Sequence, residues 1–181
     1  MPRPKRDTGA GIFHIYTHCV WISPSLFRDT VDRMSFLRRL ATTTARFEWR
    51  CIAYCLMQTH YHLIVAVEDG VLPVAMQRLN YAYAVDYNQR YGLRGHVQFA
   101  RYGSRRITDD DDLLSCFHYV ATNPVEAGLC RRACDWPWSS YPAAVGLVDP
   151  PAFVDPLPVL NCLGVQLEFA VSALRDFVEN S

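Results

Sequence analysis

At 181 residues, half of them hydrophobic, the chain is long enough for one domain with its own core and too apolar to be disordered. No apolar run reaches the ~18 residues a membrane helix needs, and no apolar signal core follows the basic start Met1-Pro2-Arg3-Pro4-Lys5-Arg6-Asp7, so a soluble cytoplasmic protein is expected. Net charge is zero but unevenly placed: residues 1–106 hold fifteen Lys/Arg and seven Asp/Glu, a balance of +8, and residues 107–181 hold three and eleven, a balance of −8. That asymmetry points to a basic face for nucleic acid, with a surface of mutually paired charges as the alternative.

Residues 1–10 read as a flexible basic arm. Ile12 to Ile22 alternate as a strand that Pro24 closes. Asp29 or Thr30 caps a helix running to about Phe47, with Val31, Met34, Phe36, Leu37, Leu40 and Ala41 on its apolar side. Residues 49–57 and 60–67 are two strands joined by a tight connection. Leu72 to Tyr91 is a second long helix stopped by Gly92, and residues 97–107 make a fourth strand. A third helix follows. Thr108 or Asp109 caps it, Asp109-Asp110-Asp111-Asp112 complement its dipole, and Leu113, Leu114, Phe117 and Val120 recur at helical spacing. Pro124 is expected to end it, because the residue before proline is pushed out of the helical region. Residues 142–158 are a proline-rich connection, and Gln166 to Val178 a terminal amphipathic helix.

This order predicts an α+β fold of the ferredoxin-like split β-α-β type. Helices cover one face of an antiparallel sheet, and the third helix crosses the other. The main domain spans 11–146, with 147–181 packing on it as connection and helix.

The chemistry concentrates in two places. His60-Tyr61-His62 sits at the start of a strand whose Leu63 to Val67 are continuously apolar. Residues i and i+2 of a strand share a face, so the two imidazoles lie side by side with Tyr61 on the other side. Alone, such a pair is more often satisfied by hydrogen bonds than bound to metal. Tyr119 and Asn123 stand four apart on the third helix and share a face. They can bring a hydroxyl nucleophile and a neutral oxygen ligand to one site. Seven cysteines lie in apolar stretches without a C-x-x-C pair, and read as free buried thiols. A zinc site from Cys51, Cys55, Cys130 and Cys134 is the weaker reading, since Cys51 and Cys55 fit one face of a strand.

Together these segments resemble a known family. Tyr54-Cys55-Leu56-Met57-Gln58-Thr59-His60-Tyr61-His62-Leu63 is similar to the HUH motif region of single-tyrosine transposases. Tyr119-Val120-Ala121-Thr122-Asn123-Pro124-Val125-Glu126-Ala127-Gly128-Leu129 and Trp136-Pro137-Trp138-Ser139-Ser140-Tyr141 resemble signatures of one branch, the REP-associated tyrosine transposases. Arg78-Leu79-Asn80, Asn88-Gln89-Arg90-Tyr91-Gly92 and Gly95-His96 fit as well, so the likeness runs from about Ile12 to Gly146. The chain departs from that pattern in three places. Gln58-Thr59 replaces the usual Pro-Asn. Val97-Gln98-Phe99-Ala100-Arg101-Tyr102-Gly103 replaces a Leu-Phe-Gln-Gly-Arg-Tyr-Lys pattern. Glu126 stands where a basic residue is common.

The resemblance implies metal-assisted cleavage and rejoining of single-stranded DNA at or near palindromic repeat hairpins. Tyr119 would be the nucleophile, leaving a 5′-phosphotyrosine and a free 3′-hydroxyl. A phenol ordinarily titrates near ~10 and needs electrostatic help to attack at neutral pH. His60, His62 and Asn123 would hold Mg²⁺ or Mn²⁺, the imidazoles favouring Mn²⁺. Arg101, Arg105, Arg106, Arg131 and Arg132 are the phosphate-contact candidates. Tyr61, Tyr83, Tyr87, Tyr102 and Tyr141 compete for the nucleophile's role. His118 is read as a backbone or DNA contact, and Trp136 and Trp138 as closing the core over the sheet, with stacking on a base as the alternative. The partner is hairpin-bearing single-stranded DNA, the protein acting as monomer or homodimer at the nucleoid. The alternatives are a non-catalytic DNA-binding or regulatory protein and a metal nuclease using water.

Overall fold

The computed structural model describes residues 7, 9–18, 25–93 and 101–180. Most of the expected basic arm, the far end of the expected first strand, residues 97–100 and the Gly95-His96 pair lie outside the described residues.

Four strands, β1 (Gly11–His18), β2 (Arg50–Leu56), β3 (His60–Val67) and β4 (Gly103–Ile107), form one sheet in the order β2-β3-β1-β4 with every pairing antiparallel. The helices α1 (Thr30–Phe47) and α2 (Val71–Tyr91) lie on one face, where Phe13, Ile15, Tyr61, Leu63 and Val65 meet Phe36, Leu40, Leu79 and Tyr83. The expected ferredoxin-like order is borne out. Asp29 caps α1 as predicted, its carboxylate accepting from the backbone N–H of Val31 at 2.9 Å and of Asp32 at 3.2 Å. Gly92 ends α2 in the left-handed region, which costs glycine no steric strain.

The other face is covered by α3 (Asp110–Glu126), with α4 (Tyr141–Ala144), α5 (Leu157–Asn161) and α6 (Leu167–Glu179) around it. Leu113, Phe117 and Val120 pack on Ile52 and Ile64 of the sheet and on Ala170, Leu174 and Val178 of α6. Removing a side chain of that size from water stabilises by about 1.5–3 kcal/mol, so α3 is anchored along its length.

Pro124 does not end α3, which continues to Glu126. A proline in the last turn loses one backbone bond, and the end is re-tied by Ala127 N–H to Asn123 O at 3.0 Å and Leu129 N–H to Pro124 O at 2.9 Å. The fourth strand begins at Gly103, with Arg101 and Tyr102 outside it, and the proline-rich stretch contains most of α4 and the start of α5. Cys51 and Cys55 do not share a face, because a bulge between Cys51 and Ala53 inserts a residue and reverses the alternation. Cys51 lies in the core under α1 and α2, and Cys55 in the core under α3. Among the described residues, no helix is long and apolar enough to cross a membrane.

Candidate active site

β3 opens with His60 and His62 turned to the α3 face, their ring centroids 5.1 Å apart with planes at 84°. Tyr61 points the other way as expected, buried, with its hydroxyl donating to Asn80 Oδ1 at 2.8 Å. α3 crosses this end of the sheet so that the Tyr119 ring meets His62 edge-on at 5.3 Å. One turn later, Asn123 Oδ1 stands 3.2 Å from His60 Nε2, and Thr59 Oγ1 lies 3.1 Å from His60 Nδ1. The four residues singled out from the sequence thus meet at one place. Tyr119 is 43 % exposed, so a large substrate can reach it, whereas His62 is buried beneath it.

Two neighbours went unrecognised in the sequence. His14 of β1 places its Nε2 3.0 Å from His62 Nδ1, with the two ring centroids 5.1 Å apart and their planes within 26°, and meets Tyr119 edge-on at 5.9 Å. Burial, and then the charge of Arg105, push the His14 imidazole down to about 4, with Asp112 opposing. Tyr16, two residues on along the same face, packs on His14 at 5.5 Å. It fits because residue 103 is glycine: a Cβ there would come within 2.3 Å of the Tyr16 ring. The alternation His14-x-Tyr16 in β1 was the available signal. It gains meaning only once β1 is known to lie beside β3 in the register Tyr16↔His62.

Two imidazoles and an amide oxygen form a mixed nitrogen–oxygen donor set that could suit Mn²⁺ better than the harder Mg²⁺. His60 Nε2 and Asn123 Oδ1 already converge to hydrogen-bond distance, 3.2 Å, so the two could turn their donor atoms to one ion. Among the described residues no group of three His, Cys, Asp or Glu side chains is placed to hold a metal. A cation here would therefore rest on two imidazoles and an amide oxygen, with water and phosphate oxygens completing the shell. The same observation removes support for zinc at the cysteines. Cys51, Cys55, Cys116, Cys130, Cys134 and Cys162 are free thiols, and burial pushes Cys51 and Cys55 up to about 12.

The arginines separate. Arg105 lies opposite His14 in the β1–β4 register, and Asp112 of α3 holds it at 2.7 and 2.8 Å. Arg106 turns to the other face, 4.7 Å over the Phe13 ring, bonded to Asp7 and, at 2.6 Å, to the Ala10 carbonyl. Arg132 is paired with Asp135 at 2.9 Å, while Arg101 and Arg131 are exposed. Tyr83 and Tyr87 are buried, donating to the carbonyls of Leu26 and Ser25, and Tyr102 and Tyr141 are buried as well. None of the competing tyrosines shares Tyr119's combination of exposure and contact with His62. His118, next to it, packs its ring on Phe177 at 5.6 Å rather than facing outward. Trp136 donates its indole N–H to Leu56 O at 3.2 Å, and both tryptophans pack against the cores as expected.

An antiparallel split β-α-β sheet with two histidines on the face where α3 brings a tyrosine and an asparagine matches the likeness read from the sequence, and comparison with known proteins bears that likeness out. The chain is 25 % identical over 154 residues to a REP-associated tyrosine transposase of Haemophilus influenzae, covering 78 % of this chain and 86 % of that one. The solved structure of a REP-associated tyrosine transposase bound to a REP hairpin has the same fold. Its TM-score is 0.68, with 15 % identity, covering 86 % of this chain and 98 % of that one. No protein-family model matches the chain.

Proposed function

We propose that this chain is a transposase-like nuclease that binds hairpin-bearing single-stranded DNA, then cleaves and rejoins it through Tyr119. The observation that carries the reading is the meeting of the exposed Tyr119 with His62 and of Asn123 with His60 on one sheet face. The likeness to REP-associated tyrosine transposases supports it.

The Tyr119 oxygen forms a bond to a DNA phosphorus while the bond from phosphorus to the 3′ oxygen breaks. The phenol proton is lost, and the departing 3′ oxygen takes one up. A 5′-phosphotyrosine and a free 3′-hydroxyl result. The reverse attack by a 3′-hydroxyl rejoins the strand without an energy source, since one phosphodiester replaces another. His60, His62 and Asn123 would hold Mg²⁺ or Mn²⁺. Such an ion, when bound, draws negative charge from the phosphate. His62 and His14 fix the plane of the Tyr119 ring, and α3 carries Tyr119 and Asn123 as one rigid unit. Arg105, Arg101, Arg106, Arg131 and Arg132 are proposed to meet backbone phosphates, Arg105 nearest the chemistry.

The test is to incubate the full chain with end-labelled hairpin DNA and Mn²⁺ and look on a denaturing gel for DNA that migrates with protein. The parent should form the adduct and Tyr119→Phe should not. An adduct in Tyr119→Phe makes another tyrosine the nucleophile, Tyr16 being the other tyrosine ring that packs on His14. Cleavage at the parent rate without any adduct replaces the tyrosine with water. Binding without cleavage leaves a DNA-binding protein.

A further inference from the structure

The histidine on β1 is neither the proposed nucleophile nor one of the proposed metal ligands, yet it is tied to one of each. His14 is buried, its Nε2 lies 3.0 Å from His62 Nδ1, and its ring edge also meets Tyr119. Two nitrogens at that distance share one proton, which leaves two arrangements. If His14 donates, neutral His62 carries its own proton on Nε2 and has no lone pair for a cation. If His62 donates from Nδ1, its Nε2 is the basic nitrogen. Only the second arrangement lets His62 act as a ligand. A hydrogen bond to the far nitrogen is how a protein fixes the tautomer and ring plane of a metal-binding imidazole.

We propose that His14 is a positioning residue: its Nε2 accepts the Nδ1–H of His62, holding His62 in the tautomer that presents Nε2 to a divalent cation and setting the ring plane against which Tyr119 packs. The partner is an imidazole where a carboxylate more commonly serves. An imidazole adds no negative charge beside the phosphate that Tyr119 would attack, and its ring packs among those of Tyr16, His62 and Tyr119. The backbone makes this contact available. Register places Tyr16 opposite His62, and His14 lies one step along the same face of β1, so the two imidazoles meet on the diagonal.

This rests on the metal-nuclease reading, and its test is independent of DNA cleavage. In the metal-free, nitrogen-15-labelled chain at pH ~8, above the ordinary histidine range, long-range proton–nitrogen correlation reads the tautomer of His62 directly. His62→Gln identifies the signal. The parent should show His62 protonated at Nδ1. His14→Phe, which keeps a ring but no acceptor, should lose that preference and weaken Mn²⁺ binding by about 10–100-fold in titration. His14→Gln, whose amide oxygen accepts a hydrogen bond, should recover much of both. A role in packing alone would be met by the Phe ring and would leave tautomer and Mn²⁺ affinity unchanged. That result, or a parent His62 protonated at Nε2, overturns the proposal. Should Tyr119→Phe still form the DNA adduct, the nucleophile assignment falls while the His62 tautomer still decides the role of His14.

Discussion

The segment Trp136 to Tyr141 was prominent in the sequence, and the structure gives its second serine a measurable task. The segment runs along β2, which is an edge strand. Leu56 N–H donates to Trp138 O at 2.9 Å, and Ser140 N–H to Tyr54 O at 3.0 Å. Tyr54 N–H in turn donates to Ser140 Oγ at 2.9 Å. An unpaired edge exposes backbone groups to wrong partners, and here side chain and backbone of Ser140 satisfy both polar groups of Tyr54. Tyr54 and Ser140 are 4 % and 2 % exposed, so water cannot replace the contact.

Ser140→Ala leaves the Tyr54 N–H buried without its acceptor, at a cost of about 1–3 kcal/mol. In a domain of this size one kcal/mol moves the melting temperature by about 2–4 °C, so a fall of about 2–12 °C is expected. Thermal unfolding followed by circular dichroism measures it. Ser172→Ala is the control, since that exposed hydroxyl only donates to Phe169 O within its own helix and should change stability by less than about 0.5 kcal/mol. Adduct formation per folded molecule should survive Ser140→Ala at low temperature. A variant that melts within about 1 °C of the parent while losing activity would refute the structural role and move the serine to the DNA.

Tyr119→Phe removes only the hydroxyl of a partly exposed residue, so its stability should stay within about 0.5 kcal/mol of the parent while the DNA adduct disappears, as melting and gel assays together would show. His60→Ala should lose Mn²⁺ affinity more severely than Asn123→Ala, because water replaces a neutral amide oxygen more readily than an imidazole; calorimetric titration with Mn²⁺ ranks them. Hairpin DNA affinity should fall with salt at a log–log slope of about −0.7 per phosphate contacted, and a flat response in a filter-binding series counts against the basic face. The Asp86 carboxylate is held below its ordinary 3.8 by Arg39 and then Ser35, so its contribution is present above that value and lost as acid titrates the folded protein; the melting-temperature gap between the parent and Asp86→Asn should close below pH 3.8.

Local periodicity made the site legible. The period of two in β3 placed His60 and His62 on one face, and the spacing of four in α3 placed Asn123 under Tyr119. The element order then implied that α3 crosses the face opposite α1 and α2, which the two cores confirm. What escaped is what local pattern does not encode. The bulge in β2 is an insertion against a partner strand, and nothing in Arg50-Cys51-Ile52-Ala53 marks it. Pro124 stays in its helix because the backbone of residues 127–129 re-ties the end, a compensation that a rule about proline alone misses. His14 was overlooked because its meaning depends on a strand 46 to 48 positions away in the chain, reached through the β1–β3 pairing.

The charge asymmetry takes a definite form once the partners are known. Among the described residues, the pairs Arg39–Asp86, Arg90–Asp29, Arg90–Asp32 and Arg106–Asp7 join residues of the first half to one another, and Arg132–Asp135 joins two of the second. Among the same described residues, Arg105–Asp112 crosses between the halves. Pairing inside a half cancels equal numbers of opposite charges and leaves its excess untouched. A surface of mutually neutralising halves would need many crossing pairs, so these contacts do not dissipate the positive balance. Arg38, Arg46 and Arg78 carry part of that balance on the exposed surfaces of α1 and α2, across the sheet from Tyr119. Arg105 lies on Tyr119's own side. A nucleic acid that engages both groups has to pass round an edge of the sheet, and a hairpin stem with a single-stranded flank has a shape that allows this. A salt slope steeper than the arginines of the active face account for would mark that wider contact.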